Sequence, residues 1–67
     1  MEIYVNNTSR EINPESRIKD VLLSLNITTR KGIAIAINNQ VVPLSEWDSH
    51  LLKNGDKLTL IRATQGG

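Results

Sequence analysis

The fold is decided by residues 33–43, which read Ile-Ala-Ile-Ala-Ile-Asn-Asn-Gln-Val-Val-Pro. Isoleucine and alanine alternate over the first five positions, which is the period of a strand that buries one face. We expect the isoleucines to face the core, and Ala34 and Ala36 to form a flat outer surface. A tight turn at residues 38–39 follows, because asparagine tolerates the positive φ angles of short hairpins. Residues 41–42 then form the short return strand.

A helix comes before this hairpin in the chain. Four apolar residues recur at the spacing i, i+3, i+4 and i+7, which places them along one helical face: Ile18, Val21, Leu22 and Leu25. The pattern predicts a helix over about residues 16–25, with Ser16 as its N-cap. We expect the apolar face of this helix to pack on the isoleucines of the following strand.

The first residues predict another hairpin. Met1, Ile3 and Val5 occupy every second position, which is the pattern of a half-buried strand. Residues 6–9 are a cluster of turn-forming residues, and residues 10–12 return as a short second strand.

The last third of the chain predicts a short helix and a long strand. Ser45 and Asp48 offer a capping pair for the short helix, and Trp47 within it should cover one end of the core. Residues 54–56, Asn-Gly-Asp, form a turn in which the glycine takes a positive φ angle. Residues 57–63 form the final strand.

Together these elements predict one α+β domain over residues 1–67 with the β-grasp, or ubiquitin-like, arrangement. One main helix packs on one face of a mixed sheet, and the opposite face stays open. The long last strand can pair in parallel with the first through crossover connections. Residues 64–67 extend past this strand as a flexible tail that ends in Gly-Gly.

The composition argues against an enzyme. The chain has no cysteine and only one histidine, His50, so thiolate nucleophiles, cysteine-ligated zinc and two-histidine metal sites are excluded. A formal net charge of +1 gives no electrostatic footprint for nucleic acid, and no apolar run is long enough to span a membrane. No signal-peptide pattern opens the chain. We therefore expect a cytoplasmic protein without a bound metal or cofactor.

The most informative chemistry lies in the last four residues, Thr64, Gln65, Gly66 and Gly67. Glycine has no Cβ, so the final pair can pass through a narrow channel in an extended conformation. The carboxylate of Gly67 could then attack the α-phosphate of ATP held by another protein. The product would be an acyl adenylate, an electrophile that a sulfur nucleophile can attack. A frayed terminus without a function is the alternative interpretation.

The second half of the chain resembles a known family, the thiamine-biosynthesis sulfur carriers called ThiS. The residues that carry the resemblance are Ala36-Ile37-Asn38, Val42-Pro43, Trp47, Leu51, Gly55-Asp56, Leu58 and Gly66-Gly67. Residues 1–31 match the family in pattern more than in identity.

The resemblance implies a reaction sequence and three partners. An adenylating enzyme of the ThiF type would use ATP to activate Gly67. A sulfur donor fed by a cysteine desulfurase would convert the adenylate to a thiocarboxylate. The thiazole synthase ThiG would then receive the sulfur.

A docking surface for such partners is predicted on the open face of the sheet. Tyr4, Ala34, Ala36 and Ile61 fall on the same predicted face and could form an apolar patch. Arg62, next to the tail, would help to orient an acidic partner. Scattered surface hydrophobics without a docking role are the alternative.

Three other functions stay open at this point. The small subunit of molybdopterin synthase, MoaD, shares the fold and the Gly-Gly end, but usually has a proline in its final segment, which this chain lacks. A ubiquitin-like modifier would be joined to lysines through Gly67. A β-grasp binding module would carry its two glycines incidentally.

Overall fold

The computed structural model describes residues 1–63. The strands and helices of this range, in chain order, are β1 Glu2–Val5, β2 Thr8–Glu11, α1 Ile18–Ser24, β3 Ile33–Ile37, β4 Gln40–Val41, a 3₁₀ helix Leu44–Glu46, and β5 Lys57–Arg62. Neither helix has the length and apolarity that crossing a membrane requires.

The strands form a mixed sheet in the order β2-β1-β5-β3-β4. β1 pairs in parallel with β5, and the other neighbouring strands pair antiparallel. The last strand in the sequence therefore lies in the middle of the sheet, between β1 and β3. This arrangement confirms the predicted α+β, β-grasp fold and its parallel pairing of the first and last strands.

The core lies between α1 and one face of the sheet. Its buried side chains come from α1, from β1, β3 and β5, and from the segments after β4: Ile3, Val5, Ile18, Val21, Leu22, Ile35, Ile37, Val42, Trp47, Leu52 and Leu58. Ile35 and Ile37 are buried whereas Ala34 is exposed, so the predicted orientation of β3 is confirmed. A shift of one residue in the pairing of β3 would reverse its two faces.

The start of α1 differs from the prediction. The helix spans Ile18–Ser24, and Arg17, not Ser16, is its N-cap residue. The Ser16 hydroxyl donates to the carbonyl oxygen of Asn13 at 2.6 Å, so it is turned away from the first helical N–H groups. The first turn is fixed instead by Asp20, whose Oδ2 accepts the Arg17 N–H at 2.8 Å. This contact is the reciprocal half of a capping box.

The prediction of a short helix that contains Trp47 is wrong. A single 3₁₀ turn, Leu44–Glu46, follows Pro43, which is the N-cap residue and gives no side-chain hydrogen bond. The predicted capping pair of Ser45 and Asp48 is therefore wrong as well. Asp48 pairs with Arg30, with 2.8 Å between the guanidinium nitrogen and Oδ1.

Asparagine occupies both central positions of the two tight hairpin turns. The φ angles are 50° at Asn6, 69° at Asn7, 52° at Asn38 and 71° at Asn39. Positive φ at both central positions is the mark of a type I′ turn, whose twist matches that of the flanking strands. The turn predicted at residues 38–39 is confirmed, and the first turn is shorter than predicted because Thr8 already belongs to β2.

Candidate functional site

The end of β5 lies beside the start of β3, and there the chain continues into residues 64–67. Ile33 is the ladder partner of Arg62. One residue further, the Ala63 N–H donates to the Gly32 carbonyl oxygen at 2.6 Å. Gly32 has a φ of +74°, in the left-handed region that favours glycine. We call Gly32 and Ala63 the tail root.

The predicted tail chemistry falls outside the described residues. This holds for sulfur attachment at Gly67 and for the tail residues Thr64, Gln65 and Gly66. The structure places the tail root, and with it the surfaces that flank the point where the tail begins.

Four of the five predicted docking residues, all but Arg62, lie on the sheet face that points away from α1, which we call the open face. Ala34 is the ladder partner of Ile61, whose side chain is 60% exposed, and this pair adjoins the tail root. Ala36, two residues further along β3, lies on the same face. Tyr4, which is half-buried, pairs with Lys57 at the other end of β5. Lys57 and Ile61 are four positions apart in β5, which corresponds to about 13 Å along the strand at the usual rise per residue.

One residue of the open face escaped the sequence analysis. Val41 is the ladder partner of Ala36 and is 78% exposed, the most exposed of the large apolar side chains. β4 spans Gln40–Val41, one residue earlier than predicted, and Val42 turns inward to the core. A two-residue turn after Ile37 already implies this register. The sequence therefore held the signal that places Val41 beside Ala36.

Arg62 does not belong to the open face. Its ladder partner, Ile33, is partly buried and packs against the core, so the pair faces the helix side of the sheet. There Arg62 lines a groove together with Lys31 and the preceding loop. The predicted docking residues thus divide between two surfaces on either side of the tail root.

Trp47 is a core residue, as predicted. Its side chain is 2% exposed, and Nε1 donates to the carbonyl oxygen of Val42 at 2.8 Å. The Arg30 guanidinium carbon lies 5.9 Å from the centre of the indole ring, within cation–π range. A hydrogen bond from the same guanidinium holds the pKa of the Asp48 carboxyl below its usual value. Trp47 therefore closes one end of the core.

The Asn-Gly-Asp turn before β5 is also structural. Gly55 has a φ of +89°, as predicted. Asp56 is buried, and its Oδ2 accepts the Lys53 N–H at 2.8 Å while its Oδ1 accepts the Asn38 amide at 3.0 Å. The Asn54 Oδ1 accepts the Glu2 N–H at 2.9 Å. These bonds tie the turn to β1 and to the central hairpin, at the end of β5 that is far from the tail root.

The described residues contain no cluster that suits a metal ion. His50 is half-buried, and residues 1–63 hold no group of three or more His, Cys, Asp or Glu arranged to ligate a metal. The candidate site is therefore the tail root with its two flanking surfaces.

Comparison with known proteins identifies relatives along the whole chain. The model of the ThiS family matches residues 3–67. The sulfur carrier protein ThiS of Escherichia coli (strain K12) is 30% identical over 67 residues, which cover all of both chains.

Solved structures give the same fold. The crystal structure of the thiamine biosynthesis protein ThiS from Geobacter metallireducens superposes with a TM-score of 0.83, is 19% identical, and is covered in full, as is this chain. The solution structure of a thiamine biosynthesis protein from that organism gives a TM-score of 0.80 at 19% identity, over all of this chain and 88% of the other.

Proposed function

Because this chain belongs to the ThiS family, we propose that it carries sulfur as a thiocarboxylate on Gly67 for the synthesis of the thiazole ring of thiamine. In this proposal the chain is a substrate of its partner enzymes and not a catalyst. A ThiF-like enzyme binds Mg-ATP and activates the tail, and ThiG receives the sulfur. The sulfur comes from a donor fed by a cysteine desulfurase.

The chemistry needs a free carboxylate at Gly67. One carboxylate oxygen attacks the α-phosphorus of ATP, and pyrophosphate leaves. The product is a mixed anhydride, whose carbonyl carbon is an electrophile that the original carboxylate is not. Sulfur at the oxidation level of sulfide then adds to this carbon, the bond from the carbon to the phosphate oxygen breaks and AMP leaves with that oxygen, so that sulfur replaces one oxygen at the terminus. The carrier contributes the carboxylate and its reach, and the enzyme contributes catalysis.

The observation that carries the proposal is the position of the tail root. The Ala63–Gly32 hydrogen bond anchors the chain beside the Ala34–Ile61 pair of the open face. An enzyme that covers this exposed apolar pair would meet the tail where it begins. An apolar docking surface directly beside the start of a Gly-Gly tail suits a protein whose terminus is presented to another protein.

The test is intact-protein mass spectrometry after incubation with the adenylating enzyme of the same organism, ATP and a sulfur source. We expect the full chain to gain the mass of a sulfur-for-oxygen exchange. Removal of Gly67 should abolish the gain, and Gly66→Ala should reduce it because the added methyl group obstructs a narrow channel. A tag at the C-terminus should block the reaction, whereas an N-terminal tag serves as the matched control. If the chain without Gly67 gains sulfur as readily as the full chain, the proposal is wrong.

A further inference from the structure

The helix side of the tail root carries two positive charges in a groove. The groove lies between the loop at residues 26–31 and the end of β5, and Lys31 and Arg62 both line it. Its other lining residues are neutral, and two of them, Thr28 and Thr29, carry hydroxyl groups. We call this concavity the cationic groove.

Neither of these cations forms an ion pair within residues 1–63. The ion pairs in this range join the N-terminal amino group to Glu11 and Arg30 to Asp48, so Lys31 and Arg62 take part in neither. Arg30, the neighbour of Lys31, forms an ion pair with Asp48 and lies over the face of the Trp47 ring. The two cations of the groove are therefore exposed and have no ion-pair partner among residues 1–63.

The rest of the molecule has the opposite sign. The side chains together carry +1, so those other than Lys31 and Arg62 sum to one negative charge. The two cations of the groove thus form a local excess of positive charge beside the point where the tail begins. Such an asymmetry orients a protein during encounter and raises the association rate with a complementary partner.

We propose that the cationic groove binds acidic side chains of the adenylating enzyme, on the side of the tail opposite to the open face. This inference rests on the proposed function and adds the charge that the partner must present. Apolar contact on the open face and ion pairs in the groove would then bracket the tail root. The enzyme surface that fits has an apolar area on one side of its tail channel and Asp or Glu on the other.

The experiment measures the association rate constant with the ThiF-type enzyme of the same organism at about 0.05 M and about 0.5 M salt, which changes the screening length severalfold. The test variant is Lys31→Gln with Arg62→Gln. The control, Arg10→Gln with Lys53→Gln, removes two positive charges far from the groove. We expect the test variant to associate about fivefold more slowly at low salt, with little difference at high salt, and the control to keep the wild-type rate.

Two outcomes would contradict the inference, and they differ in whether the proposed function fails with it. If the test variant keeps the wild-type rate and salt dependence while Ile61→Asp still loses binding, the groove has no docking role and the proposed function stands. If the wild-type chain does not bind the enzyme at all, both proposals fail. Should the double variant unfold, the single variant Lys31→Gln decides, because Lys31 lies outside every strand and helix.

Discussion

At the scale of single residues, Trp47 joins three parts of the molecule. Its ring fills the core, its Nε1 holds the chain after β4 through the carbonyl oxygen of Val42, and its face receives Arg30. Arg30 in turn binds Asp48. One side chain thus connects the core, the segment after β4 and the loop that leads to the cationic groove.

Trp47→Phe keeps most of the apolar volume and removes the indole N–H. We expect a loss of about 1–3 kcal/mol in the free energy of unfolding, because the buried carbonyl oxygen of Val42 loses its donor. Urea unfolding measures the change. Leu44→Ala, at an exposed position in the neighbouring 3₁₀ helix, is the control and should stay within about 0.5 kcal/mol. Equal stability of Trp47→Phe and the wild type would show that the hydrogen bond contributes nothing.

At the scale of elements, asparagine side chains continue the sheet where the backbone turns away. The Asn38 Oδ1 accepts the Lys57 N–H at 3.0 Å, and its amide reaches Asp56. In the first hairpin, Asn6 accepts the Leu60 N–H at 2.9 Å and donates to the Leu60 carbonyl oxygen at 3.2 Å. Both turns therefore bind β5, and their asparagines do more than tolerate positive φ angles.

The central hairpin allows these two roles to be separated. Asn38→Gly keeps the positive φ angle and removes the bonds to Lys57 and Asp56, so we expect a loss of about 1–3 kcal/mol in the free energy of unfolding. Asn39→Gly is the matched control, because Asn39 has a similar φ angle and no side-chain hydrogen bond. The control should change stability by less than about 1 kcal/mol. Chemical denaturation of both variants measures the difference, and equal losses would assign asparagine a purely conformational role.

At the scale of the whole molecule, the two sides of the sheet differ in what covers them. α1 covers one face and supplies the core, while the open face presents Ala34, Ala36, Val41 and Ile61 to the outside. Both faces meet the tail root. A change on the open face should therefore affect partner binding without affecting folding.

Ile61→Asp tests whether the open face binds the partner enzyme. We expect it to weaken binding to the adenylating enzyme by tenfold or more, since a carboxylate would be buried without a partner, which costs on the order of 3 kcal/mol. Its free energy of unfolding should change by less than about 1 kcal/mol, because Ile61 is exposed. Leu23→Asp on α1 makes the same chemical change at an exposed position away from the open face. Isothermal titration and urea unfolding measure the two quantities, and an unfolded Ile61→Asp would place this residue in the core.

Val41→Asp should behave as Ile61→Asp does, because the ladder places Val41 on the same face as Ala36. Tyr4 stays a predicted docking residue at the far end of the open face. If Tyr4→Asp weakens binding as strongly as Ile61→Asp, the interface extends the full length of β5. If only the positions near the tail root respond, the interface is confined to that end.

The sequence predicts those elements whose burial or turn geometry follows from a local residue pattern. The alternation of isoleucine and alanine fixes the orientation of β3, and the paired asparagines fix the turn that follows. The N-cap of α1 is not predicted, because the Ser16 hydroxyl is taken by Asn13, and neither residue alone indicates this choice. The capping pair of Ser45 and Asp48 fails for a similar reason, since Asp48 binds Arg30, which lies 18 residues away in sequence.

The site divides in the same way. Strand periodicity places Ala34, Ala36 and Ile61 on the same face of the sheet. The same periodicity also indicates the position of Val41 on that face and the orientation of Arg62 toward the opposite face. The groove formed by Lys31 and Arg62 depends on how the loop at residues 26–31 folds against the end of β5. No local pattern in the sequence encodes that contact.

The central position of β5 has a consequence for how the protein is made. A ribosome produces β1 to β4 before β5, yet β5 separates β1 from β3 in the finished sheet. In a nascent chain that has reached only residue 56, the edges of β1 and β3 that flank β5 in the finished sheet therefore have no strand to pair with, and the core lacks Leu58. Pairing across so many residues is also slow, because the loop must close before the contacts stabilise it. A translation product that stops short of β5 cannot form this domain, so it would be a target for proteolysis and not a tailless competitor for the partner enzyme.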